Sequence, residues 1–301
     1  ETVNGKLAVR FQPQEELIFR GAASTGFRAP NLAPRYFSKV STTFIDNVPF
    51  EVGLFNNESN VANALGVPAL EEETSFNLSG GMAVSPSDNF TFTADVFFVD
   101  INDRIILSGN LAGEEIENLV SQFGAQRVQV FSNAIDTRTW GIDLTASYRT
   151  LIGDDATLLL KGAFNESRNR LVSDVRTPAA LSQGFGESIF GREARLELEK
   201  ERPENTLNLT STYEKGPFSL TLGATRYGEV LVPDDTPEED FRLSEEWIVD
   251  MVVGYEVVDD YVTLTVGARN LLDNFPDPTP PGENFLGIFP FSLSLSQGRL
   301  H

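Results

Sequence analysis

The sequence predicts an all-β protein, an antiparallel transmembrane β-barrel of which about ten strands are present as a partial, open wall. Three observations support this fold class. Apolar and polar residues alternate with period two in segment after segment. Short turns and long connections alternate strictly between these segments. Aromatic residues recur beside the short turns, at one height of the predicted wall.

Period-two alternation defines the strands. Along residues 140–149 the even positions begin with Trp140, Ile142 and Leu144, while the odd positions are small or polar. Such segments match the roughly 9–11 residues that cross a bilayer as a tilted strand. The predicted strands lie near residues 5–12, 16–25, 73–85, 89–107, 128–149, 155–168, 205–214, 217–230, 245–257 and 260–270.

The connections separate a barrel from a soluble sandwich, which alternates equally well. Short turns fall near residues 13–15, 85–88, 151–154, 215–216 and 258–259, and long connections near 26–72, 108–127, 169–204, 231–244 and from 271 onward. All short turns are therefore predicted at one rim and all long connections at the other, so Asp234 and Asp259 should lie at opposite ends. Outer-membrane barrels have this asymmetry.

Aromatic side chains beside the short turns predict an interfacial girdle, although core aromatics at strand ends are the alternative. They are Phe11, Phe90, Tyr148, Tyr213, Phe218, Tyr255 and Tyr261. Trp140 and Trp247 lie at the far ends of their strands. We interpret these two as girdle anchors at the other interface rather than as stacking platforms for a sugar.

Alternation also assigns two faces to the wall. The predicted lipid face comprises Leu7, Val9, Phe11, Phe90, Phe92, Leu144, Leu220, Leu222, Val249, Val253, Leu264 and Val266. The charges predicted to face the lumen are Arg20, Asp95, Asp143, Lys161, Asp250 and Arg269. A shift of one residue would exchange the two faces of a strand.

Composition excludes several kinds of chemistry. The sequence has no cysteine, and its only histidine is His301, so thiolate, cysteine–zinc and histidine-based sites have no interior ligands. A formal net charge of −21 excludes a nucleic-acid partner, which would need a basic face. The acidic runs near 71–73, 114–115 and 234–240 are expected to be solvated loops. No glycine-rich phosphate loop or nucleophile elbow occurs, and no carboxylate pair stands out, so no catalytic residue is predicted and we expect no enzyme.

Several segments resemble the barrels of TonB-dependent outer-membrane receptors. Residues 20–37 (RGAASTGFRAPNLAPRYF) resemble a strand and the loop that follows it, and residues 267–276 (GARNLLDNFP) resemble the penultimate strand. Residues 205–230 and 247–271 are similar to late strands of the same barrels. The resemblance covers nearly the whole chain.

The resemblance implies the C-terminal portion, over residues 1–301, of a roughly 22-stranded barrel. It implies location in the bacterial outer membrane, contact with outer-membrane lipid, and a plug that couples the barrel to the TonB complex. The plug and the first half of the barrel are expected to lie outside this chain. Residues 286–291 (LGIFPF) resemble the approach to the closing strand. The chain alone is therefore expected neither to transport nor to close into a stable barrel.

The implied function is TonB-energised uptake of an iron chelate, carbohydrate, corrinoid or peptide. Two alternatives stay open: a passive outer-membrane pore, and a soluble β-rich adhesin or carbohydrate-binding module. Arg28 and Arg35 are the candidate ligand-binding residues because arginines on an outer loop can hold an anion, although pairing with loop acids is the competing interpretation. No cofactor is predicted. The acidic loops favour a neutral or cation-bearing ligand, or Ca²⁺ bound within the loops.

Overall fold

One continuous antiparallel sheet forms the body of the protein. The computed structural model describes residues 3–45, 48–178, 185–234, 236–258 and 261–278. Ten strands follow one another in the sheet in the order β1-β2-β5-β6-β7-β8-β9-β10-β13-β14. Their bounds are β1 Lys6–Gln14, β2 Leu17–Arg28, β5 Glu73–Ser87, β6 Phe90–Leu107, β7 Arg127–Ile152, β8 Ala156–Leu171, β9 Asn205–Lys215, β10 Phe218–Tyr227, β13 Glu246–Val258 and β14 Val262–Ala268. All ten predicted strands are confirmed.

The long connections have structure of their own, which the alternation pattern did not predict. They contain α1 Leu32–Tyr36, β3 Lys39–Ile45, β4 Val48–Phe55, α2 Asn60–Ala64, α3 Glu114–Val120, α4 Gly186–Ile189, α5 Arg192–Lys200, β11 Val230–Val232 and β12 Phe241–Leu243. None of the helices in the described ranges is both long enough and apolar enough to cross a membrane.

The strand order confirms the two-rim arrangement. Each strand of the main path pairs antiparallel with its neighbour, so successive connections fall at opposite edges. The connections after β2, β6, β8 and β10 share one edge, here called the long-loop rim. The short turns share the other edge, the short-turn rim. Asp234 lies in a long connection, whereas Asp259 and residues 286–291 fall outside the described residues.

The register gives the sheet one apolar face. Directly opposed residues point to the same side, and the ladder joins Phe92 to Ala146, Leu220 to Val253, and Val253 to Val266. Following these pairs from strand to strand puts all twelve residues predicted for the lipid face on one side. Trp140 and six of the seven aromatics predicted for the girdle lie on that side too, since Phe90 is paired with Tyr148 and Phe218 with Tyr255.

The apolar face is not covered by other parts of the described chain. Leu7 is 71% exposed and Val266 is 75% exposed, and none of the twelve residues is buried. In water such a face would cost about 25 cal/mol for each square ångström of apolar surface left unburied. The arrangement therefore suits lipid as the solvent of this face and disfavours the soluble sandwich.

The buried core of the described chain lies at the long-loop rim. Buried apolar residues from three long connections meet those of the first part of β7, among them Val61, Leu111, Val128 and Ile189. We call this assembly, formed by the described residues 29–45, 48–72, 108–135, 172–178 and 185–200, the loop cap. The ten-strand wall is thus one layer thick, and the loop cap is a small packed body at one of its edges.

Candidate functional site

The loop cap begins where β7 extends beyond the neighbouring strand β8. There β4 pairs in parallel with residues 127–130, so the hairpin β3–β4 continues the sheet. The backbone amide of Gln126 donates to the carbonyl of Glu51 at 2.7 Å, and the Gln126 side chain accepts from the amide of Glu51 at 3.0 Å. The first long connection is therefore attached to β7 and is not a free loop.

Two asparagines fix the path of the first long connection. Asn57, 4% exposed, donates to the carbonyls of Pro68 and Phe131 and accepts from the amide of Leu70. Asn133 exchanges two hydrogen bonds with the backbone of Glu71 and donates to the carbonyl of Asp103 at 2.6 Å. Buried backbone groups need such partners, and these side chains supply them. Sequence reasoning missed both residues because a single asparagine in a loop has no distinguishing pattern.

Arg176 ties the third long connection to β6 and β7. Its guanidinium lies 2.9 Å from the Asp103 carboxylate and 2.6 Å from that of Asp136, and it also donates to the carbonyl of Asn133. Asp103 has a positive φ of 56°, which is uncommon for a residue with a side chain, and it sits at an irregularity in the β6–β7 ladder. Because Asn133 also bonds to the backbone of Glu71, the first and third long connections are joined to β6 and β7 at this charged point.

Arg28 and Arg35, the candidate ligand-binding residues, each contact a carboxylate, one at the start of β5 and one in the first long connection. Arg28 pairs with Glu73, whose carboxylate also accepts from the amide of Ile105 at 2.8 Å. Arg35 lies 3.2 Å from Glu58. Both arginines thus have the ordering role that was the competing interpretation, and no described contact joins the two. A contact with ligand stays a prediction for each.

One residue of the first acidic run is not solvated as expected. Glu73 is only 5% exposed and accepts hydrogen bonds from Arg28 and from the amide of Ile105, so the loop interpretation is wrong for this residue. Glu114 and Glu115, in contrast, are exposed at the start of α3, as expected. In the described part of the chain no group of three or more Asp, Glu or His side chains could hold a metal ion, and Ca²⁺ bound within the loops stays a prediction.

Five of the six charges predicted for the lumen lie on the face opposite the apolar one. Arg20 reaches Asp95 across Gly81, which stands between them on β5, and the Arg20 Nε to Asp95 Oδ1 distance is 2.7 Å. Asp143 accepts from the side chain of Asn165 at 2.6 Å.

The other lumen candidates follow the same register. Lys161 is paired across the sheet with Thr210, Thr210 with Gly223, and Gly223 with Asp250. These pairs place Lys161 and Asp250 on the polar face. Arg269 lies directly after β14, beyond the paired residues. Exposure of this face to a lumen stays a prediction.

A cleft opens between the third long connection and the hairpin β11–β12. Its volume is about 600 Å³, within the range of about 300–1,000 Å³ typical of small-molecule sites. Within its lining, Arg192 of α5 pairs with Asp240 and donates to the carbonyl of Asp234 at 3.0 Å. This ion pair lowers the pKa of the Asp240 carboxyl below its usual range.

Solved structures of several transporters and receptors share this fold. An iron transporter, FrpB, from Neisseria meningitidis is 14% identical with a TM-score of 0.59, and the alignment covers 90% of this chain and 35% of that one. The siderophore receptor PirA from Acinetobacter baumannii is 15% identical with a TM-score of 0.60, covering 90% of this chain and 37% of that one. A ferric enterobactin receptor from Pseudomonas aeruginosa, in complex with enterobactin, is 16% identical with a TM-score of 0.59, covering 90% and 35%.

These likenesses establish the fold, and the chain spans about a third of the length of the solved structures it matches. The comparison with curated proteins found no match. The family model for TonB dependent receptor-like β-barrels matches residues 1–271. With its ten-strand wall, its single apolar face and its loops gathered at one rim, the chain belongs to the TonB-dependent receptor-like β-barrel family.

Proposed function

We propose that this chain forms part of the wall and outer loops of an outer-membrane receptor that takes up its ligand with energy from the TonB complex. The observation that carries the proposal is a wall that is apolar on one face and polar on the other, with the loop cap packed at one rim. An apolar face suits outer-membrane lipid, and a polar face suits a lumen filled by water and a plug. Such a receptor is a transport component and not an enzyme.

The ordered loop cap favours a receptor over a passive pore. A pore needs only a polar lumen, whereas recognition needs side chains held in place by a rigid scaffold. Asn57, Asn133 and Arg176 hold the loops in this way. We propose that the plug and the remaining strands come from the rest of the receptor.

The ligand class is proposed from the neighbours in structure. FrpB is an iron transporter, PirA a siderophore receptor, and a further neighbour, OprC, a copper transporter. We therefore place a metal ion or metal chelate first among the ligands to be tested, ahead of carbohydrate, corrinoid and peptide.

The test is uptake by cells of the native host with and without the gene that encodes this chain. Radiolabelled iron chelates, copper, corrinoids and oligosaccharides are offered singly, with and without a protonophore. We expect one of them to enter only when the gene and the proton-motive force are both present. Entry that depends on the gene but persists with the protonophore would instead support a passive pore.

A further inference from the structure

The cleft between α5 and the hairpin β11–β12 is lined by both apolar and charged side chains. Leu171, Val175, Phe190, Leu196 and Leu231 supply its apolar lining. Four carboxylates and two guanidinium groups complete it, so the cleft offers both an apolar surface and ionic partners. Pockets of this mixed kind orient small ligands through a few polar groups placed around an apolar body.

The two arginines of the cleft are already neutralised. Arg192 pairs with Asp240 and donates to the Asp234 carbonyl. Arg195 lies 3.4 Å from Glu199, and that carboxylate also lies 3.2 Å from Arg170 and accepts from the amide of Leu171 at 3.0 Å. An anionic ligand would therefore have to separate existing ion pairs before it gained any of its own.

Two carboxylates of the cleft remain available. Asp174 and Glu187 are exposed and form no ion pair with any side chain in the described ranges. The formal charge of −21 over the whole chain adds a negative field that concentrates cations near the protein. A bare metal ion is a poor occupant because the described residues offer no group of three acidic ligands.

We propose that this cleft binds a compact organic cation. Asp174 and Glu187 hold its ammonium or guanidinium group, while its apolar body lies against Phe190 and Leu231. The inference rests on the proposed role of the long loops as the first contact with ligand, and it names the chemistry that they select. A chelate or a peptide fragment with an amine beside an apolar group would fit.

The test measures binding to the full-length receptor, purified from the outer membrane, by isothermal titration calorimetry. The probe is tryptamine, and the matched neutral probe is N-acetyltryptamine, which keeps the ring and loses the charge. We expect tryptamine to bind and N-acetyltryptamine to bind at least about fivefold more weakly, the effect of an ion pair at an exposed site. Raising the salt to about 0.5 M should reduce the difference, because exposed charges are screened.

Two variants assign the effect to the cleft. The double change Asp174→Asn and Glu187→Gln should weaken tryptamine binding by about tenfold and leave N-acetyltryptamine unchanged. The control, Glu114→Gln with Glu115→Gln, removes the same charge from exposed positions on α3 and should leave tryptamine binding within about twofold. A heat-modifiability gel on each variant checks that the barrel is folded.

Equal loss of binding in both double variants would overturn the proposal, since it would trace binding to net charge alone. Equal binding of the two probes would also overturn it. Binding is measured apart from transport, so a receptor that binds tryptamine but fails the uptake assay would contradict the proposed function and leave the cleft assignment standing.

Discussion

A single glycine decides whether two charges on the polar face can meet. Arg20 and Asp95 lie on strands that are separated by β5, and Gly81 stands directly between them. A Cβ at Gly81 would lie 1.9 Å from the Asp95 Oδ1 and 2.8 Å from the carbonyl of Ala94. The neighbouring Gly80 points to the opposite face, and a Cβ there would meet nothing within 4 Å.

We therefore predict that Gly81→Ala separates Arg20 from Asp95 and destabilises the receptor by about 1 kcal/mol, through the lost pair and local strain. The measurement is the temperature at which the folded band disappears in a heat-modifiability series. Gly80→Ala is the matched control and should behave as the parent protein does. Equal shifts for both variants would show that alanine at either position lowers the thermal stability, and that loss of the Arg20–Asp95 ion pair is not the cause.

At the scale of the elements, an ion pair joins α5 to the hairpin β11–β12. Arg192 holds Asp240, and this contact lowers the pKa of the Asp240 carboxyl. A carboxyl whose pKa is lower in the folded state stabilises that state above its unfolded pKa and stops doing so as the pH falls through its folded pKa. The hairpin should accordingly stay docked through the usual range of aspartate titration.

The measurement is the rate of backbone amide hydrogen exchange in residues 230–232, corrected for the intrinsic rate at each pH. We expect this rate to stay slow as the pH falls from 7 through the usual range of aspartate titration, and to rise only below that range. Asp240→Asn should raise exchange at pH 7 and remove most of the pH dependence. Glu238→Gln makes the same charge change at an exposed position and should leave the profile unaltered. A parent profile that already rises near pH 5 would contradict the assignment to Asp240.

The strands of the wall were predictable from the sequence, whereas the loop cap was not. Membrane strands show strict alternation because one side meets lipid and the other meets polar groups, so residues such as Leu220 and Val253 identify their face by position alone. In the loop cap the informative residues are Asn57, Asn133 and Glu73, whose roles depend on chain segments far away in the sequence. Long-range backbone hydrogen bonds of this kind leave no periodic signal.

The candidate site shows the same division. The residues expected on the polar face could be chosen from period two alone, and the register agrees for Arg20, Asp95, Asp143, Lys161 and Asp250. The cleft could not be predicted, because it forms where α5 meets a hairpin about 40 residues later in the chain. Charge runs are ambiguous as well, since Glu73 and Glu114 look alike in sequence and differ fully in burial.

At the scale of the whole molecule, the sheet has two edges. Within the described residues β1 pairs only with β2, and β14 pairs only with β13. Unpaired backbone groups in lipid cost several kcal/mol each, so such edges must be closed or covered in a membrane. Strands from elsewhere in a receptor would satisfy both edges.

We predict that the chain produced by itself in an outer membrane gives no heat-modifiable monomer and no steady conductance in planar bilayers. Co-expression with the rest of the receptor should restore a folded band if the two pieces complete one sheet. A folded, conducting monomer from this chain alone would contradict the prediction and would revive the passive pore.

The loop cap and the wall depend on different solvents. Val61, Leu111 and Val128 are buried, whereas Leu7 and Val266 are exposed on the face that we propose to meet lipid. The calorimetric trace of the receptor should therefore contain a transition that carries a large positive heat-capacity change, responds to urea and belongs to the loop cap. A second transition, at higher temperature, should belong to the wall. Changing the detergent should shift the temperature of that second transition only. We therefore expect the ligand binding proposed for the loop cap to be lost in urea or on heating, and regained on return, while the wall stays folded.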